Sequence, residues 1–378
     1  MAKMFFSGPV RAALLGWVVL AVTACASGPD TAKPADLGPN AALLGVRLAW
    51  TGKLGVVDYP LQAKVIGNTV VVAGSDGGMV SLDARTGAQI WQANAGSPIS
   101  AGVGSDGRFA AVVNRDNELL VFDAGQNHWR VRLTSQVFTA PLVAGERVFV
   151  LGADRSLAAF DAKSGRKLWQ NQRPGDALVL RQAGVLMAVG NTLVAGLSGH
   201  LIGFNPLNGN VVWDVAVATP RGTNDIERLV DLVNGVSREA NEVCVRAFQA
   251  AVACVDTLRG VVNWKKPAFG SVGVSGDGQQ VFGVESDGRL LAWRRSDGEL
   301  AWSSDRLRYR KLSAPLVLGQ SVVVGDDTGQ VHLLSRMDGA PLTRLVTDGS
   351  AIAVTPVLAD GTLVVITRNG GIFGFHPE

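Results

Sequence analysis

From residue 43 onward, short continuous apolar runs alternate with Gly- and Asp-rich turns in one recurring order. The stretches "VVVAGSDGGMVSLDARTGAQIWQAN" and "RVFVLGADRSLAAFDAKSGRKLWQNQ" show the unit most clearly. An apolar strand leads through a Gly/Asp turn to a second apolar strand. A D-x-x-x-G turn and a third segment ending at tryptophan follow. Asp83, Gly87 and Trp91 share their spacing with Asp161, Gly165 and Trp169, with Asn205, Gly209 and Trp213, and with Asp256, Gly260 and Trp264. Three copies vary. Arg294 precedes Gly298 and Trp302, the turn between Asp123 and Trp129 is shortened, and Thr343 stands where tryptophan belongs after Gly339.

Seven units are complete, and the eighth, "GTLVVITRNGGIFGFHPE", stops before its last strand. The missing piece stands at the other end of the chain: "LLGVRLAWTG" is a strand reaching Trp50 with no preceding strands of its own unit. Small antiparallel units of this kind cannot bury both faces alone, and stacking them around an axis buries them against one another. A linear solenoid needs polar caps, and neither terminus resembles one. The predicted fold is all-β: an eight-bladed β-propeller of four-stranded antiparallel blades, closed by the N-terminal strand completing the C-terminal blade. In that frame Trp50, Trp91, Trp129, Trp169, Trp213, Trp264 and Trp302 fill the gaps between neighbouring sheets, burying on the order of 200 Å² each. The Asp/Asn and Gly of the motif read as turn residues rather than a carboxylate dyad.

The first 24 residues have a different character. Lys3 and Arg11 precede the apolar run "AALLGWVVLAV", which closes with Val22-Thr23-Ala24-Cys25. This resembles a bacterial lipobox, with valine where leucine is usual. The resemblance implies a signal peptide over 1–24 and acylation of Cys25. Ala26 follows, with no aspartate to retain the chain at the inner membrane. By resemblance to lipoprotein sorting, the address is the outer membrane, lipid-anchored and facing the periplasm. The Pro/Gly/Asp-rich residues 25–42 read as a flexible tether, leaving 43–378 for the propeller. Removing Lys3 and Arg11 from the 35 basic residues leaves 33 against 32 acidic ones, so no global field attracts nucleic acid.

The D-x-x-T/S-G-x-x-x-W signature resembles the repeat of pyrroloquinoline-quinone dehydrogenases and their non-enzymatic relatives. Together with the lipobox, the length and two loops, it is similar to the BamB family, the propeller lipoproteins of the β-barrel assembly machinery. The resemblance covers roughly residues 43–378. It implies a non-catalytic scaffold that binds the periplasmic POTRA domains of BamA, with nascent barrel strands as a further partner by β-augmentation. In "RPGDALVLRQAG", Leu178, Leu180 and Arg181 match the family's partner-binding segment. In the insertion "TPRGTNDIERLVDLVNGVSRE", Asp231 matches the first of two acidic positions, and Val233 replaces the second. From the residues alone two alternatives stand. Leu178 and Leu180 could open the next blade's first strand, and Ile226, Leu229, Val230 and Val233 have the spacing of a short amphipathic helix.

An enzyme of the quinoprotein class would need a calcium site, a catalytic aspartate and commonly an adjacent cysteine pair. The non-lipid cysteines are Cys244 and Cys254, ten residues apart, and His128, His200, His332 and His376 have no metal spacing. No cofactor, metal or catalysis is expected. Cys244 and Cys254 flank a predicted hairpin near Phe248-Gln249, where register decides between a disulfide and two buried thiols. A carbohydrate-binding propeller would show aromatics on its loops, and only Trp293 is a mature-chain tryptophan outside the repeat position.

Overall fold

Eight four-stranded antiparallel sheets make up the fold in the computed structural model, which describes residues 1, 32–58, 61–174, 178–220, 223–224 and 228–378. Blade 1 spans Lys64–Asn94, blade 2 Ile99–Arg132, blade 3 Leu142–Gln172 and blade 4 Leu186–Ala216. Blade 5 spans Leu232–Pro267, blade 6 Val274–Ser304 and blade 7 Leu316–Val346. Blade 8 combines three strands of Val357–Pro377 with Val46–Lys53, which pairs antiparallel to the last strand, Thr51 opposite Phe373. Two chain ends therefore close one sheet, as the truncated eighth repeat predicts.

Strand order follows chain order in blades 1 to 7, and the first strands of neighbouring blades approach one another around the axis. The second and third strands are covered on both faces by adjacent blades, which is why they read as unbroken apolar runs. Val148–Leu151 and Ser156–Phe160 of blade 3 are buried throughout. The fourth strand lies at the rim and alternates, as Lys167–Gln172 does. Every blade carries a register shift between its third and fourth strands, immediately before the tryptophan position. Such a bulge adds local twist and re-aims the ring.

The rings serve the next blade. Nε1–H of Trp50, Trp129, Trp169, Trp264 and Trp302 donates to a carbonyl in the following blade's motif turn, at 2.6–3.0 Å. The motif glycine of that following turn lies against the ring. A Cβ on Gly87 would sit 2.6 Å from Trp50, and one on Gly298 2.4 Å from Trp264. The motif aspartate closes the turn, Asp83 accepting from the amides of Arg85 and Thr86 and from the Thr86 hydroxyl. That hydroxyl, first among these donors, holds the Asp83 carboxyl below its ordinary value.

Thr343 now has a physical account. Blade 8 draws its third and fourth strands from opposite ends of the chain, so it has no turn between them to receive a ring from blade 7. The space over Thr343 is lined instead by Asp36, Leu37, Pro39 and Asn40. These residues precede the boundary expected at residue 43, yet they pack along the outer edge of blade 7. The Leu43 amide donates to the Leu342 carbonyl at 2.7 Å, Asn40 to Arg344, and Arg344 back to Gly38. The compact unit carrying the propeller accordingly starts at Ala35.

Arg310 bonds the Ala35 carbonyl at 3.1 Å and the Asp326 carboxylate at 3.2 Å, and His332 Nε2 lies 3.0 Å from the same carboxylate oxygen. Burial alone would raise the Asp326 pKa. Hydrogen bonds from His332, the Gln330 amide and Thr328 outweigh it and hold the group at about 2. A depressed folded-state pKa means stability that is present above the unfolded value of 3.8 and is lost as pH falls through about 2. The shift corresponds to about 2 kcal/mol. Acid titration of urea stability should therefore drop between roughly pH 4 and 2, and Asp326→Asn should flatten that limb.

Candidate functional site

Because the strands alternate in direction, one end of the propeller carries all blade-to-blade connections and all turns between second and third strands. The connection from blade 3 to blade 4 and the one from blade 4 to blade 5 meet at that end. Leu178 and Leu180 lie outside any strand, since blade 4 begins at Leu186. The alternative that placed them in its first strand is therefore set aside. Leu178 is 41 % exposed, Leu180 is half-buried and Arg181 is exposed. The Asp231 carboxylate accepts the Leu180 backbone amide at 2.9 Å, across 51 residues of sequence. That bond ties the two segments together at their exposed end.

Val233 belongs to the first strand of blade 5 and is buried, bridging to Gly184 of the other connection. A second carboxylate there would have to enter the packed interior, so valine suits this position. The helix expected from Ile226 to Val233 does not form among the described residues. Leu229–Asp231 are irregular, and the first strand of blade 5 starts at Leu232; Ile226 lies outside the described residues. Tertiary pairing to blade 5 overrides the local helical spacing.

Residues that the sequence did not single out hold this site. Arg155, buried in a turn of blade 3, donates to the Leu178 carbonyl at 3.4 Å and to Ser198 Oγ at 2.5 Å. Gln182 reaches the Ser271 carbonyl at 2.7 Å, and the Asn234 amide donates to Ala183. The signal for Arg155 was present in the repeat. It has φ of 63° at the position where six of the other blades carry glycine or asparagine. A bulky side chain kept in the left-handed region marks a position held for its contacts. Gln182 also lines a cavity of about 670 Å³, together with Gln62, Ser271, Lys311 and Arg368.

Elsewhere the structure separates what an active site would collect. His128 stacks on Phe109 in blade 2, His200 contacts Asp214 in blade 4, His332 contacts Asp326 in blade 7, and His376 contacts Thr362 in blade 8. Trp293 is only 3 % exposed, packed beside Arg246, so it offers no stacking surface for a sugar. Cys244 lies directly opposite Cys254 on neighbouring strands of blade 5, and their sulfurs are joined, which settles the register question. Cys25 lies outside the described residues.

The family model described as "Outer membrane protein assembly factor BamB" matches residues 62–304. A protein of that name from Burkholderia pseudomallei is 35 % identical over 378 residues, covering 99 % of this chain and 98 % of the relative. Among solved structures, BamB from Moraxella catarrhalis superposes with a TM-score of 0.80 at 24 % identity, covering 88 % of this chain and 99 % of that one. The quinohemoprotein alcohol dehydrogenase of Comamonas testosteroni shares the fold, with a TM-score of 0.69 at 15 % identity over 90 % of this chain and 79 % of that one. With a matching family model over most of its length and a full-length relative above 30 % identity, the chain belongs to the BamB family of outer-membrane protein assembly factors.

Proposed function

We propose that this chain is a non-catalytic scaffold, anchored in the outer membrane through acylated Cys25 and facing the periplasm. Its partner is the periplasmic POTRA region of BamA, and its task is to assist folding and insertion of β-barrel proteins. The observation that carries the reading is the bond from the Leu180 amide to Asp231. It gathers an exposed leucine, a half-buried leucine, an arginine and a carboxylate onto one surface at the end of a rigid ring. Loops held on a rigid scaffold lose little entropy on binding, and an apolar centre beside an arginine is the composition of an interface hot spot. The dispersed histidines and the use of the motif aspartates as turn caps support a scaffold over a quinone-dependent dehydrogenase.

The test uses the chain from Ala26 onward and the periplasmic domains of its own BamA. Leu180→Glu and Arg181→Glu are each expected to weaken binding at least tenfold, with thermal unfolding unchanged, because neither side chain is part of the buried core. Asp231→Ala should weaken binding too, by releasing the Leu180 loop. Wild-type affinity in all three variants would remove this surface from the interface.

A further inference from the structure

The surface in question lies at the same end of the propeller as the partner-binding loops, in the connection from blade 6 to blade 7. The sequence there is Asp305-Arg306-Leu307-Arg308-Tyr309-Arg310-Lys311. Leu307 is buried and pins the loop, while Arg306, Arg308, Tyr309 and Lys311 are exposed. Arg310 is committed to Asp326 and the Ala35 carbonyl. Arg308 stacks over Tyr309 at 5.0 Å and reaches Asp287 only at 3.9 Å, a carboxylate already held by Arg289 at 2.8 Å. Among the described residues, Arg306 and Lys311 enter no ion pair. The loop thus presents three cations and a tyrosine to solvent against one carboxylate of its own, Asp305, on a chain whose mature charge is almost balanced.

The N-terminal segment enters the propeller at this same loop. The Ala35 amide donates to the Arg308 carbonyl at 2.9 Å, its carbonyl accepts from Arg310 at 3.1 Å, and Leu37 packs into the cluster between blades 6 and 7. From Ala35 the chain runs along blade 7 to Leu43 and into the closing strand of blade 8. Ten residues separate Ala35 from Cys25, a reach of at most about 35 Å even when fully extended.

We propose that the Arg306–Lys311 loop is a membrane-facing rim that binds the anionic phospholipid headgroups of the leaflet holding the lipid anchor. Two observations select that occupant over an acidic protein. The docked segment delivers the tether to this loop and to no other connection. The composition, exposed arginine and lysine with one tyrosine, is that of side chains which settle at the interface of a charged bilayer. The rim would turn a loose tether into an oriented one. The position of the membrane rests on the acylation of Cys25 proposed above.

The experiment uses the chain from Ala26 onward, without lipid, so its outcome does not depend on acylation. Flotation is measured with vesicles of phosphatidylcholine, with and without phosphatidylglycerol, at low and high salt. Wild type should float only with the anionic vesicles and be released by salt. Arg306→Ser with Lys311→Ser should lower the partition about 25-fold, two near-surface cations each contributing roughly fivefold. Arg85→Ser with Lys163→Ser, an equal charge change in motif turns at the opposite end, should leave it unaltered. No flotation of wild type on anionic vesicles, or equal loss in both pairs, overturns the proposal. So does a loop variant that keeps vesicle binding and loses BamA, which would make the rim a protein contact. The Leu180→Glu result is independent of all of these, so the two proposals fail separately.

Discussion

Gly298→Ala is expected to destabilise the propeller by ~2–4 kcal/mol, although it adds one methyl group to a surface turn. Two costs combine. Gly298 has φ of 72°, a conformation that costs a residue with a side chain about 1 kcal/mol or more. The new Cβ would also lie 2.4 Å from Cε3 of Trp264, which has no room to retreat, since its ring is buried and its Nε1–H is held by the Arg295 carbonyl at 2.6 Å. Trp264→Ala on its own should cost ~3–5 kcal/mol through the cavity it leaves between blades 5 and 6. The informative measurement is the double variant. With the ring gone, the alanine should cost little more than its backbone strain, giving a coupling of ~1–3 kcal/mol in urea unfolding. Additive effects would show that the glycine and the ring do not meet, and the blade-to-blade docking described above would be wrong.

The second large effect concerns a buried ion pair at the same boundary. Arg246 of blade 5 has a fully buried side chain, and its Nη1 lies 3.0 Å from Glu285 Oε1 in blade 6. The other Glu285 oxygen accepts the Phe269 amide at 2.5 Å. Burial pushes the Arg246 pKa down, opposed by the Glu285 charge and hydrogen bond, and its Nε and Nη2 have no hydrogen-bond partner among the described residues. Glu285→Ala should therefore cost ~3–5 kcal/mol, since it strands a guanidinium inside the protein. Replacing both partners by apolar residues, Arg246→Met with Glu285→Leu, should recover most of that loss, because the desolvation of both charges is then avoided. A Glu285→Ala protein as stable as wild type would mean that water reaches Arg246.

This boundary also shows how far the sequence could be read. Strand positions, blade number and ring closure were legible because each depends on local periodicity or on counting repeats. The apolar runs at Val70–Ala73 and Val148–Leu151 read as strands because each is short and is followed by a Gly/Asp turn. The tryptophan position was legible for the same reason. The loops proposed to bind a partner were singled out by family resemblance, whereas the residues that hold them were not singled out. Arg155 lies in blade 3 and Ser198 in blade 4, so its contacts with Ser198 and with the Leu178 carbonyl exist only once the two blades are stacked. The spacing from Ile226 to Val233 pointed to a helix because it is a local signal, and pairing of Leu232–Glu239 with the second strand of blade 5 decided otherwise.

By itself, then, the sequence determined the repeating unit, the number of blades and the joining of the two ends, since strand and turn preferences act within a few residues. Only the tertiary structure decided which glycine receives which ring, why Thr343 faces the Asp36–Asn40 segment, how Asp231 meets Leu180, and that Arg246 pairs with Glu285. Each of these joins residues more than 30 positions apart, where contact depends on the stacking of blades and no local preference carries information about the partner.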